Sequence, residues 1–158
     1  MFARFVFAVA VVLSAAYVAT NASAAPAPSW RAISEFYSGG NLSGEIGCSW
    51  TNTDGTTGMP GSGHVNLNPR VCASLAALRR YGARSQRGMV LGALGLSVLI
   101  HESLHNRVQP GWDNADEVVI GDLGWRLIPD AMQRFWGIQP DSYWGQRYQR
   151  MVLKTLGG

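Results

Sequence analysis

A chain of 158 residues has room for one core of moderate size and not for two. Hydrophobic residues make up 47% and charged residues 15%, which is too apolar and too aromatic for a disordered chain. The formal charge is +3, or +2 once the segment carrying Arg4 is removed, and the basic residues are scattered, so no basic run tracks a phosphate backbone and nucleic-acid binding is not expected.

The N-terminus reads as a secretory signal. One charge at Arg4, an apolar run from Phe5 to about Val18 and the small residues Ala22, Ser23 and Ala24 form its three parts. The run is shorter than the about 20 residues of a membrane-spanning helix, so cleavage after Ala24 is expected rather than an uncut anchor. That leaves a single exported domain over residues 25–158, extracellular or periplasmic, with no stable membrane association. Export also places Cys48 and Cys72 in an oxidising compartment. They are not spaced as C-x-x-C, so the expectation is one disulfide, worth about 3 to 4 kcal/mol by loop closure.

After the "APAP" linker, "SWRAISEFY" predicts a short helix capped by Ser29 and ended by the glycine pair 39 and 40. "EIGCSW" and "HVNLN" predict two short strands, a small β-hairpin around the thirteen-residue loop "TNTDGTTGMPGSG", which is long enough to be mobile. Asn68 and Pro69 open a helix that runs to about Tyr81 and stops at Gly82. From about Ser85, "GMVLGALGLSVLIHESLHNR" is apolar on nearly every face until its histidines, which predicts a central buried helix whose three glycines permit close packing. A turn at Pro110 and Gly111 leads to a helix in "DNADEVVIGDLGWRLI", kinked at Pro129 and continuing to Gly137. Pro140 and Asp141 open the last helix, with Tyr148, Met151 and Val152 facing the core. The fold class expected is α+β, predominantly helical, with a small β element.

The chemistry concentrates in "HESLH". Residues four apart share one helix face, so His101 and His105 can direct ring nitrogens at one cation. Glu102, beside the first ligand, can take the proton of a metal-activated water. Helix C-capping would explain two histidines but does not call for Glu102 between them. A catalytic zinc ion takes three protein ligands and keeps one position open. His64 lies far upstream, whereas "GWDNADEVVIGD" offers Asp113, Asp116, Glu117 and Asp122. Gly121, one turn beyond Glu117, allows the following helix to approach closely, so Glu117 is the leading third ligand and the three aspartates are its rivals. A capping box between Asn114 and Glu117, or an aspartate holding a histidine's second nitrogen, are the other roles open to these residues. His64, Tyr143 and Tyr148 are weak candidates for stabilising an oxyanion.

"HESLH" with a downstream acidic residue on the next helix resembles the glutamate-zincin metallopeptidases, whose signature is HExxH. The order of a strand, a helix beginning near a cysteine, a HExxH helix and a "DE" helix also resembles small secreted bacterial proteins with a metallopeptidase-like site. The resemblance implies a minimal zincin-like domain with Zn2+ on His101, His105 and Glu117, Glu102 as general base, and a peptide or cell-envelope amide substrate. Arg107, where zincins usually carry an apolar residue, and the twelve-residue spacing from His105 to Glu117 depart from that pattern and bear on the third ligand. The alternative is a secreted metal-binding or interaction domain without turnover, which the small size of the chain favours.

Overall fold

The computed structural model describes residues 27–57 and 59–158; the expected signal and its cleavage site lie outside the described residues. Polar caps fix where the helices begin. Ser29 accepts from the Ala32 amide to start α1 (Trp30–Tyr37), and Asn68 accepts from the Arg70 amide to start α2 (Pro69–Tyr81), with Pro69 in its first turn. Ser85 caps α3 (Gln86–His105) through the Gly88 amide. Asp116 caps α4 (Glu117–Arg126), and Leu127 separates it from α5 (Ile128–Trp136), with Pro129 in the first turn of α5. Ser142, not Pro140 or Asp141, caps α6 (Tyr143–Thr155). The chain is thus mainly helical, as its periodicity predicts.

The β element differs from the expected hairpin. Its strands are β1 (Gly47–Cys48), β2 (Gly55–Thr56) and β3 (Asn66–Leu67), in the order β1-β3-β2. The two expected strands do pair, but in parallel, Gly47 opposite Asn66. The loop between them supplies β2, which runs antiparallel to β3. Two strands joined by a chain that first makes a third strand arrive with the same direction, and the turn formers of the loop concealed that strand. Nor is the loop free in its second half. The Gly61 amide donates to the His105 carbonyl, and the Gly63 amide to Asn106 Oδ1. Asn41 Nδ2 donates to both the Gly61 and Asn106 carbonyls.

α3 is the axis of the molecule. Its inner face, with Leu96, Leu99, Ile100 and Leu104 buried, meets Val71, Leu75 and Leu78 of α2, Ile33 and Tyr37 of α1, and Ile120 of α4. Glycines set the α2 approach. A Cβ at Gly92 would stand 2.6 Å from Leu78 Cβ, and one at Gly95 would stand 2.6 Å from the Leu75 nitrogen. α3 is long and apolar enough to cross a membrane by length and composition, yet most of that span is buried in the protein. The burial is not complete, because Val90, Leu91 and Leu94 remain exposed on its outer face. α5 and α6 close the far side, where Tyr148 is fully buried and its hydroxyl donates to the Ala83 carbonyl. Cys48 and Cys72 are bonded, joining β1 to α2, as their number and spacing predict.

Candidate metal centre

The last turn and a half of α3 places His101, Glu102 and His105 toward an open cleft of about 550 Å³. α4 crosses this end of α3 and brings Glu117, its first residue, over the two rings. Gly124 makes the crossing close: a Cβ there would meet the Ser97 carbonyl oxygen at 2.8 Å and His101 Cβ at 3.2 Å. Gly121, expected to permit this approach, does not; a Cβ on it meets nothing within 4 Å, and it lines the cleft instead.

Three donors converge. His101 Nε2 and His105 Nε2 are 3.0 Å apart, and Glu117 Oε2 lies 3.4 Å from the first and 3.3 Å from the second. Ligands about 2.0 to 2.1 Å from a tetrahedral metal ion such as zinc are about 3.3 Å from each other, so an ion of that size fits the triangle. The three residues form a group able to hold a metal ion. The side His105 presents to it follows from a hydrogen bond. Its Nδ1 is 2.7 Å from the Asn114 carbonyl oxygen, which can only accept, so Nδ1 carries the proton and Nε2 presents its lone pair to the triangle. His101 is held below its usual pKa, chiefly by burial and secondarily by His105, while Glu117 and the Ile120 backbone oppose the shift. It therefore stays neutral at pH 7, the form that binds metal.

The rival aspartates have other roles. Asp116 Oδ1 accepts from the Val118 and Val119 amides as the cap of α4, Asp113 Oδ1 accepts from the Ala115 amide, and Asp122 pairs with Arg126. The capping box with Asn114 does not form, because Asp116 takes that position. Nor does an aspartate hold a histidine's second nitrogen; the Asn114 backbone does so for His105. Arg107 turns out of the site, its guanidinium 5.7 Å from the Trp112 ring and donating to Gln109.

Glu102 stands apart from the triangle. It is 5% exposed and faces the cleft, and its carboxylate has no hydrogen-bond partner among the described residues. Burial pushes its pKa up to about 8, and the charge of Glu117 adds to the rise. β2 covers it so closely that a Cβ on Gly55 would lie 2.7 Å from Glu102 Oε1. Thr53 to Thr57 and Pro60 form one wall of the cleft, and Glu117, Gly121 and Trp125 of α4 form the other. None of the three oxyanion candidates lines it. His64 is exposed, Tyr143 accepts from Arg147 at the surface, and the Tyr148 hydroxyl is occupied in the core.

Several residues the motif did not reveal complete the site. Asn106 is fully buried and ties α3 to the loop before β3: its Oδ1 accepts from Gly63, and its Nδ2 donates to the His64 and Glu102 carbonyls. An asparagine just after a helical run is an end signal, which was the available clue. Gly55 sits in an Asp-Gly pair that looks like a turn, and Gly124 and Trp125 carry no local signal of their positions. Comparison with protein-family models, with curated proteins and with solved structures gives no match for this chain.

Proposed function

We propose that the protein is an exported zinc-dependent hydrolase of peptide or other amide bonds, with His101, His105 and Glu117 as ligands and Glu102 as general base. The observation that carries this reading is the triangle of donors with edges of 3.0 to 3.4 Å beside Glu102, whose carboxylate faces the cleft with no hydrogen-bond partner among the described residues. Two histidines and a glutamate, with one position left open, are a donor set of catalytic zinc sites. A zinc ion held there supplies a Lewis acid for the scissile carbonyl and lowers the pKa of water toward 7. Glu102 takes one proton from the attacking water as its oxygen bonds to the carbonyl carbon. It then delivers that proton to the amide nitrogen as the C–N bond breaks, leaving an acid and an amine. The disulfide accords with an oxidising, extracytoplasmic location.

A metal-binding domain without turnover would need the same three ligands. It would not need Glu102 at the cleft with no hydrogen-bond partner among the described residues, and this residue favours the enzyme. Zinc content and cleavage of a mixed peptide library, measured on the purified protein and two variants, test the reading. Glu102→Gln should keep its zinc and lose cleavage by about 10²- to 10⁴-fold. Glu117→Ala should lose zinc affinity. Cleavage unchanged in Glu102→Gln would overturn the mechanism.

A further inference from the structure

A second depression adjoins the metal cleft. Residues 50–54, which lead into β2, surround it together with Asn68 and Arg70 at the start of α2. Its volume of about 570 Å³ is within the about 300 to 1,000 Å³ of small-molecule sites. Thr53 and Asp54 line this space and the metal cleft alike, so the two share a rim. The segment that forms it is held in place. Cys48, just before it, is bonded to Cys72, the Asn68 amide donates to the Asp54 carbonyl, and Asn68 Nδ2 donates to the Thr51 carbonyl. The Thr51 and Thr53 hydroxyls donate to the Thr53 and Gly55 carbonyls. A ligand therefore meets groups that are already ordered.

Trp50, at 86%, is the most exposed large hydrophobic residue among those described. A single exposed apolar side chain is ordinary, but the neighbours of this one narrow what it can receive. No aliphatic side chain lines the depression, so an apolar ligand would find one aromatic surface and no enclosing wall. The one cation of the lining, Arg70, is paired with its one carboxylate through Asp54 Oδ1, so an ionic ligand meets no uncompensated charge. What remains is an aromatic surface among hydrogen-bonding groups, of which Asp54 Oδ2 and the Asn52 side chain have no hydrogen-bond partner among the described residues. A pyranose matches this set, because its C–H face packs on an aromatic ring while its hydroxyls donate to a carboxylate and both donate to and accept from an amide. We propose that this depression binds a neutral sugar unit, with Trp50 as its apolar contact and Asn52 and Asp54 as its hydrogen-bonding partners. The sugar site does not depend on turnover at the metal centre. Through the shared rim, it gives the metal cleft preferential access to amides carried on a glycan.

The test is calorimetric titration with neutral hexasaccharides built from glucose, mannose, galactose or N-acetylglucosamine. The titrations use Glu102→Gln, so that no amide of a probe is turned over. At least one hexasaccharide should bind, and adding Trp50→Ala should weaken it about 10-fold or more. Tm and zinc content should not change, because that side chain is exposed. Trp50→Phe, which keeps an aromatic ring, should retain most of the affinity, and Asn52→Ala should lower it without changing Tm. Failure of every hexasaccharide to bind, or binding indifferent to Trp50→Ala, would overturn the proposal. Tighter binding of a leucine-rich peptide or of inorganic phosphate, lost on Trp50→Ala, would also overturn it and assign the depression to a peptide or an anion. Sugar binding in a protein that cleaves no amide would keep the site and remove the hydrolase. Amide cleavage without sugar binding would do the reverse.

Discussion

Glu102 is the residue whose setting is hardest to account for by packing alone. Its carboxylate faces the cleft with no hydrogen-bond partner among the described residues, and burial raises its pKa to about 8. A position that only had to fill space beneath β2 would take an apolar side chain. Gly55 fixes how the carboxylate is held, because its missing side chain lets the strand lie directly against Glu102. Gly55→Ala should therefore turn the carboxylate aside. Because Glu102 is a flexible side chain, the adjustment should change Tm little and leave zinc content unchanged, while kcat/KM falls on the order of 10²-fold, the effect of displacing a reacting group by about 1 Å. Thermal melts, metal analysis and kinetics on one preparation separate these quantities. Loss of zinc in this variant would mean that Gly55 supports the ligands rather than the base. Glu102 and the two histidines were legible in the sequence because four-residue spacing on a helix is a local property. Gly55 was not, since its importance comes from a side chain 47 positions later.

The crossing of α3 and α4 decides which carboxylate joins the two histidines. Four carboxylates lie between residues 113 and 122, and sequence spacing alone could not separate them. Capping removes Asp116, a local turn occupies Asp113, and an i,i+4 pair engages Asp122, which leaves Glu117 over the histidines. The contact that sets this geometry is at Gly124, three residues from the glycine chosen by sequence reasoning. Both glycines lie on α4 but face different surroundings: Gly124 meets α3 backbone, and Gly121 meets the cleft. Gly124→Ala should lower stability by about 1 to 3 kcal/mol by overpacking against the Ser97 carbonyl, and should weaken zinc binding as α4 shifts. Gly121→Ala should raise stability by up to about 1 kcal/mol, because alanine is the better helix former. Urea denaturation and zinc titration of the pair check this, and equal effects at the two positions would contradict this crossing.

At the scale of the whole molecule, the disulfide joins the sheet to the helical layer, with β1 on one side and α2 on the other. The bridged residues are 24 apart in sequence. Closing such a loop is worth about 3 to 4 kcal/mol in the chain-entropy model. Replacing both cysteines by serine should lower Tm by on the order of 10 °C for a domain of this size, measured by calorimetry. Zinc content at 25 °C should be retained, because the proposed ligands stand on α3 and α4 rather than on the bridged elements. A variant that melts as before would show that the bridge closes a loop already fixed by packing.

The sequence by itself determined what depends on near neighbours in the chain: the helices with their serine, asparagine and glycine boundaries, the two histidines on one face, and the pairing of the only two cysteines. Caps act over two or three residues and helical periodicity over four, so the information is contained in the segment that uses it. Only the tertiary structure decided what depends on elements meeting. It made the two expected strands parallel and placed β2 between them in sequence but at the edge in space. It also set the His105 Nδ1–H to donate to the Asn114 carbonyl, brought Glu117 among four carboxylates to the histidines, and left one face of the most apolar helix exposed beside the cleft. Each of these follows from contacts between segments whose relative position is set by packing, and packing is not written in the spacing of residues along any one of them.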